Sequence, residues 1–223
     1  MILSHPTFEN MLKLTDDSVA ILTVENPRQL SSYISELLGQ IDGDSGGFSL
    51  FDGNEEIPLS EIRLLIDPFN LDLCAKDIQN GIQAKVRSLL NSEEYYVATQ
   101  EMLSGISKFF NRALGDIDCE LVGAEIDATS LVKLMSPHYE NEGDSLLENI
   151  CQYLRVASAF TKARAFIFVN LRTFMNESQM EQLFKFALYE KAHLMLLESV
   201  SGKHSEFAHE TIIDKDLCEI DIN

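Results

Sequence analysis

Apolar and polar positions along the chain alternate between two rhythms. Ser18 to Val24 (SVAILTV) is β-rich and mostly apolar, the pattern of a strand buried on both faces, and Asn26-Pro27 behind it reads as N-cap and first residue of a helix. Leu30, Tyr33, Ile34, Leu37 and Leu38 supply that helix with a stripe of 3.6-residue period, and Gly39 is the expected residue after its last turn. The Gly- and Asp-rich stretch from Asp42 to Gly47 predicts a loop, followed by short strands at Phe48 to Phe51 and Ile62 to Ile66. Asp67-Pro68 ends the second of these, because Pro68 lacks an amide donor and keeps its predecessor out of helical geometry.

From Leu73 to Leu114 the pattern is helical throughout, with apolar marks at Ile78, Ile82, Val86 and Leu89 and then at Met102, Ile106, Phe109 and Ala113. That is too long for one ordinary globular helix. Asn91-Ser92 before Glu93-Glu94 is a cap-like signal, so two helices folded back as an antiparallel hairpin are expected, then an acidic loop at Asp116 to Glu120 and a third helix near Asp127 to Met135.

The α/β rhythm then returns. Ser145-Leu-Leu-Glu148 is a capping box opening a helix that ends near Thr161, and Ala165 to Val169 (AFIFV) reads as a central strand. Asn176 caps a helix through Leu183, Phe184, Ala187 and Leu188, and His193 to Leu197 (HLMLL) reads as another buried strand. Strand, helix and strand of these lengths imply a right-handed parallel crossover. Glu210 to Ile213 and Cys218 to Ile222 are short strand candidates at the sheet edge. The predicted fold class is α/β, a mostly parallel sheet head over residues 1–66 and 146–223, with an inserted leg of long helices over 67–145.

Composition changes this picture in one respect. Among 223 residues, 17 Lys and Arg face 36 Asp and Glu, a formal charge of −19, which excludes a wholly basic nucleic-acid binder. Residues 146–200 are the only block in which acids do not outnumber bases. No apolar run approaches membrane-spanning length and no basic-then-apolar leader opens the chain, so a cytoplasmic protein without membrane contact is expected. Cys74, Cys119, Cys151 and Cys218 form no Cys-x-x-Cys pair and are expected to be reduced and buried.

A parallel sheet with crossover helices invites a nucleotide, yet the loop after the first strand, Glu25-Asn26-Pro27-Arg28, has neither glycines to expose amides nor a Lys-Ser/Thr pair. The central strand ends in Asn170-Leu171 instead of acids that would hold magnesium. No Gly-x-Ser-x-Gly elbow exists, and His204, His209 and Glu210 lack zinc-site spacing. No catalytic residue is assigned. Asp42-Gly-Asp44 starts like a calcium loop, but the twelfth position falls on Gly53, leaving a solvated turn. Asp116, Asp118, Glu120, Glu125 and Asp127 crowd a corner between two leg helices, where like charges either stay solvated or recruit a cation. The cations of the leg and the near-neutral block are few: Lys85 and Arg87 on the first long helix, Lys133 on the third, Lys162 and Arg164 before the central strand, Arg172 after it. In so acidic a chain, DNA binding requires such residues gathered on one surface and multiplied by symmetry, because affinity comes from phosphate neutralisation.

Several segments in their order and spacing carry a resemblance: the Ser18 to Val24 strand with its Asn26-capped helix, Phe48-Ser-Leu-Phe51-Asp52, Ile62 to Asp72 (IRLLIDPFNLD), Leu131-Val-Lys133-Leu, and Leu146 to Asn170 ending in FTKARAFIFVN. Over nearly the whole chain they resemble the Csn-two family, the accessory spacer-acquisition proteins of type II-A CRISPR loci. The resemblance implies a degenerate, non-catalytic P-loop ATPase fold carrying a helical leg. It further implies a homotetrameric ring whose positive hole holds double-stranded DNA ends during spacer acquisition in antiviral defence, and partners in the integrase subunits and the RNA-guided nuclease of the same locus. Calcium, by the same resemblance, is held by Asp116, Asp118, Glu120 and Glu125, with Asp127 as an extra ligand. The family's hole-facing lysine falls on Lys133, and a second one falls on His138, which is mostly neutral at pH 7. Paired lysines before the central strand fall on Lys162 and on Ala163 beside Arg164. The other expectation is an acidic α/β protein-interaction module of the same system that touches no DNA; a degenerate ATPase that still binds nucleotide is a weaker third.

Overall fold

The computed structural model describes residues 1–140 and 143–222; positions 141, 142 and 223, which fall in the expected leg and head, lie outside the described residues. The chain divides into two compact units, Met1–Asp72 together with the described residues after 142, and Leu73–Glu140.

Among the described residues of the first unit, ten strands form two sheets. The larger holds β3 (Val19–Val24), β6 (Ile62–Leu65), β7 (Ala165–Val169), β8 (His193–Glu198), β9 (Ala208–Ile213) and β10 (Glu219–Ile222) in the order β10-β9-β3-β8-β7-β6. All its pairings are parallel except β10 on β9. Every residue of β3 and β7 is buried, as the apolar run of β7 and that of β3, interrupted only by Thr23, require. The smaller sheet is antiparallel, β2 (Leu12–Lys13), β1 (Ile2–Ser4), β4 (Ser49–Asp52) and β5 (Glu55–Ile57) in that order.

Helix α1 (Pro27–Ile41) sends Leu30, Tyr33 and Leu37 into a core shared by both sheets, with Leu22, Val24, Ile167 and Leu197 from the large sheet and Leu3 and Leu50 from the small one. Successive strand residues point to opposite faces, so Ile21, Phe166, Phe168 and Leu196 are buried on the far side. Helices α5 (Leu146–Phe160) and α6 (Glu177–Tyr189) pack on each other, and α6 packs on β3 and β8. Each fully buried aliphatic or Phe side chain here contributes about 1.5–3 kcal/mol through its removal from water.

The second unit is helical: α2 (Lys76–Leu90), α3 (Tyr96–Gly115) and α4 (Ala128–Met135). Its main packing joins α2 to α4, with Ile78, Ile82, Ala128 and Val132 buried. The expected α2–α3 hairpin is corrected here, since the two helices meet at a turn without comparable packing. That turn is tied by Thr99 Oγ1, which donates to the Leu90 carbonyl at 2.9 Å. The Asn91-Ser92 signal ends α2 but does not cap α3, whose first turn at Tyr95 has no side-chain cap.

Three further expectations are corrected. Helix α1 runs through Gly39 and closes two residues later, with Asp42 as C-cap and Gly43 taking the left-handed conformation at φ 106°. The strand Glu210 to Ile213 is not at an edge: β9 sits between β10 and β3. All four cysteines are free, but Cys74, Cys119 and Cys218 are exposed; only Cys151 is half-buried, and burial pushes its thiol up to about 11.

Candidate nucleic-acid interface

The leg separates its charges. Lys76, Lys85, Arg87, Lys108, Arg112 and Lys133 lie on its helices against only Asp77 and Glu101, whereas Glu93, Glu94, Asp116, Asp118, Glu120, Glu125 and Asp127 lie in its turns. Acid-poor helices joined by acid-rich turns give an acidic chain local cationic surfaces, which net charge alone conceals. Lys85 and Arg87 are exposed on α2, and Lys133 is exposed on α4, the helix that α2 packs against. Packing of α2 on α4, in which Ile82 and Val132 are buried, therefore fixes the elements that carry these cations. His138 is exposed beyond α4, its Nδ1 3.1 Å from the Ser136 carbonyl, and Ser136 closes α4 in a left-handed conformation at φ 45°.

In the head, Lys162 is exposed between α5 and β7. Arg164 is already engaged: its guanidinium is ion-paired with Asp52, and its backbone N–H donates to the Glu61 carbonyl at 2.8 Å. That cation braces the strand edge instead of standing free.

The acidic corner runs from Asp116, the C-cap of α3, to Asp127, the N-cap of α4, through a connection without regular structure in which Asp118, Glu120 and Glu125 are exposed. Asp127 accepts the Ser130 N–H at 2.9 Å and the Ser130 hydroxyl at 3.0 Å in a capping box, and these bonds, the backbone one foremost, lower its pKa. Among the described residues no three His, Cys, Asp or Glu side chains converge on a point that would hold a metal. The donors themselves are all carboxylates, the ligand chemistry of a hard cation such as calcium, strung along a segment free of helix or strand bonding that would oppose their gathering.

The carboxyl edge of the large sheet is where open α/β folds bind ligands. Here the start of α1 is already satisfied. Pro27 has no amide proton, the Arg28 and Gln29 amides donate to Asn26 Oδ1 at 3.1 and 3.3 Å, and the Leu30 amide donates to the Asn26 carbonyl at 3.0 Å. A phosphate would have to displace that cap. Farther along the edge lies a group that pattern reading passed over: Glu198 and Glu210, 2% and 6% exposed, with Arg172 and Thr23. Its signal in the sequence is an acid within each of two strands, HLMLLE and AHETII. Arg172 is thus an internal ion-pair partner, its Nη1 3.0 Å from Glu210 Oε1. His193 pairs with Asp16 at 3.2 Å, and burial lowers its pKa.

Comparison with known proteins adds the following. The family model described as CRISPR-associated protein (Cas_Csn2) matches residues 40–217. The chain is similar to CRISPR-associated protein Csn2 of Enterococcus faecalis, 21% identical over 184 residues that cover 82% of this chain and 83% of that one. It is equally similar to CRISPR-associated protein Csn2 of Streptococcus agalactiae, 21% identical over 198 residues and 88% of each chain. Among solved structures, a nucleotide-free ATP-binding cassette from an ABC transporter matches with TM-score 0.42 and 12% identity, covering 94% of this chain and 82% of that one. A putative ABC transporter ATP-binding protein from Pyrococcus furiosus matches with TM-score 0.39 and 10% identity, covering 94% and 97%. No helix among the described residues is long and apolar enough to cross a membrane.

Proposed function

The chain belongs to the CRISPR-associated Cas_Csn2 family, and on that premise we propose that it is a non-catalytic, ring-forming protein that binds double-stranded DNA ends during spacer acquisition. The observation that carries this reading is the separation of charge in the leg. Lys85, Arg87 and Lys133 stand exposed on two helices packed together, on a unit whose acids, Asp77 and Glu101 apart, lie outside its helices. Copies of that surface around a symmetric hole supply the phosphate contacts that a single chain of charge −19 lacks. His138 is proposed to add to it within the leg, and in the head Lys162 is proposed as a DNA contact of its own, whereas Arg164 contributes only by leaving Asp52. The capped start of α1 supports a head that serves as scaffold and does no nucleotide chemistry. The acidic turn is proposed to take calcium through Asp116, Asp118, Glu120 and Glu125, with Asp127 offering whatever its cap leaves; the ion would supply charge neutralisation and cross-linking of that turn. The proposed partners are a second and further copies of the chain, the integrase subunits and the RNA-guided nuclease of the same locus, in the cytoplasm.

A second reading, a protein-interaction module of the same system without direct DNA contact, is favoured by one observation. Helix α3 leaves Val97, Met102, Phe109 and Phe110 between 58% and 68% exposed, which is apolar surface suited to a protein. Exchange of Lys133 for Glu separates the two. Duplex binding in a gel-shift series at matched salt is expected to be lost with the oligomer unchanged in size exclusion; unchanged binding would remove Lys133 from the interface.

A further inference from the structure

At the carboxyl edge of the large sheet, two buried carboxylates meet one arginine, Glu210 through its guanidinium and Glu198 through its backbone N–H. Glu198 ends β8 and Glu210 lies in β9, on the two strands that flank β3. Thr23 Oγ1 of β3 donates to Glu210 Oε1 at 2.6 Å. Arg172, on the short 3-10 turn Leu171–Thr173 after β7, donates through its backbone N–H to Glu198 Oε1 at 3.1 Å. Through Nη1 it donates to Glu210 Oε1 at 3.0 Å and to the Val200 carbonyl at 3.5 Å.

Val200 belongs to the segment 199–207, which joins β8 to β9. These strands both run parallel to β3, and a crossover of that kind ordinarily contains a helix. This one contains none; it is a strap across the sheet end. Its ties include the Ser199 amide to Asn170 Oδ1 at 2.8 Å, the Val19 amide to the Phe207 carbonyl at 2.9 Å, Lys185 Nζ 4.7 Å from the centre of the Phe207 ring, and Arg172. Arg172 presses on the strap so closely that a Cβ at Gly202 would stand 2.6 Å from its Cζ. The strap and α6 border a cavity of about 820 Å³ into which Glu198 and Arg172 face.

With both acids ionised, two carboxylates removed from water contend for one guanidinium that does not give up its proton. The neighbouring elements do not offset the excess: Glu177 and Glu181 of α6 and Glu206 of the strap face Lys203 and, when protonated, His204, and Lys185 of α6 is itself paired with Glu181 at 3.3 Å, so the cations there do not outnumber the acids. Like charges that share such a site bind a proton.

We infer that Glu198, Glu210 and Arg172 form a proton-linked clamp on the strap 199–207. With one proton on the pair, Arg172 holds Glu210 and the Val200 carbonyl; without it, the guanidinium is contested and the strap loosens. Burial, with Glu210 adding to it and Arg172 opposing, brings Glu198 from its usual 4.5 to about 7. The folded chain then binds more protons than the unfolded one between those values. Stability is therefore fully present below pH 4.5, falls as pH rises to about 7 and is level above, by up to about tenfold in the folding constant per pH unit.

The test is unfolding by denaturant from pH 5 to 8 on the full chain and on Glu198→Gln, whose amide oxygen can still accept the Arg172 N–H. The wild type is expected to lose stability as pH rises and the variant to lose this component of the slope, with slower amide exchange in 199–207 at pH 8. Parallel profiles would overturn the clamp. Should the variant fail to fold, carboxyl NMR of the glutamate-labelled wild type decides: a titration near pH 7 supports the clamp and none above about pH 5.5 overturns it. Neither readout involves DNA.

Discussion

Head and leg end their helices differently. In the head, α1, α5 and α6 begin on Asn26, Ser145 and Asn176, each with side-chain oxygen on the first amides, and their apolar faces disappear into two sheets. In the leg, α2 and α3 begin on Ala75 and Tyr95 without a side-chain cap, and only α4 is capped, by Asp127. Phe168 of the head is fully buried, whereas Phe109 of the leg is 68% exposed. The head is specified by its own sequence at every level. The leg carries helical periodicity without matching ends or a matching core, which is how an element looks when part of its packing comes from elsewhere.

The sharpest way to break this contrast is a pair of large-to-small changes. Phe168→Ala is expected to cost about 3–5 kcal/mol in denaturant unfolding. Phe109→Ala is expected to stay within about 0.5 kcal/mol for the isolated chain while weakening self-association in sedimentation. Equal losses would mean that the leg is as self-contained as the head.

Caps test the same contrast at smaller scale. Asn176→Ala is expected to destabilise the head by about 1 kcal/mol, and Ala75→Asp to steady α2 by about 0.5–1 kcal/mol, read as slower amide exchange over Lys76–Leu90. Acid and base should also act on different units. The Glu198 pair costs the head stability as pH rises from 4.5 toward 7. Asp127, held below its usual 3.8, supports α4 in full above that value and loses its cap as pH falls below it through the lowered pKa, visible as faster exchange at the Ser130 amide. The smallest expected effect is that of calcium, a rise in melting temperature over chelator with protection confined to residues 116–127. Identical melts and exchange would leave that corner solvated.

What pattern reading found follows from element length. Strands β3, β7 and β8, of 5 or 6 residues, are built on apolar runs and declare themselves. Strands β1, β2 and β5, of 2 or 3 residues and half-exposed, are too short for an alternation to show, so the second sheet was missed. Gly39 misled because a glycine tolerates the last helical turn; the residue that needs a positive φ is Gly43. At the candidate interface, the exposed cations Lys85, Arg87, Lys133 and Lys162 are legible one by one. That Arg164 is spent on Asp52, and Arg172 on Glu210, is tertiary information, since 112 and 38 residues separate the partners. The buried Glu198 was passed over because an acid ending an apolar strand ordinarily points to solvent.

Fluorescence anisotropy of a short linear duplex against a closed circle of the same sequence, titrated in calcium and then in chelator across a salt series, tests the central claim most directly. A ring that takes DNA by its ends predicts binding of the linear form, stronger in calcium and weakening steeply with salt. Absence of binding to either form at low salt would contradict the DNA reading and assign the exposed leg to a protein partner.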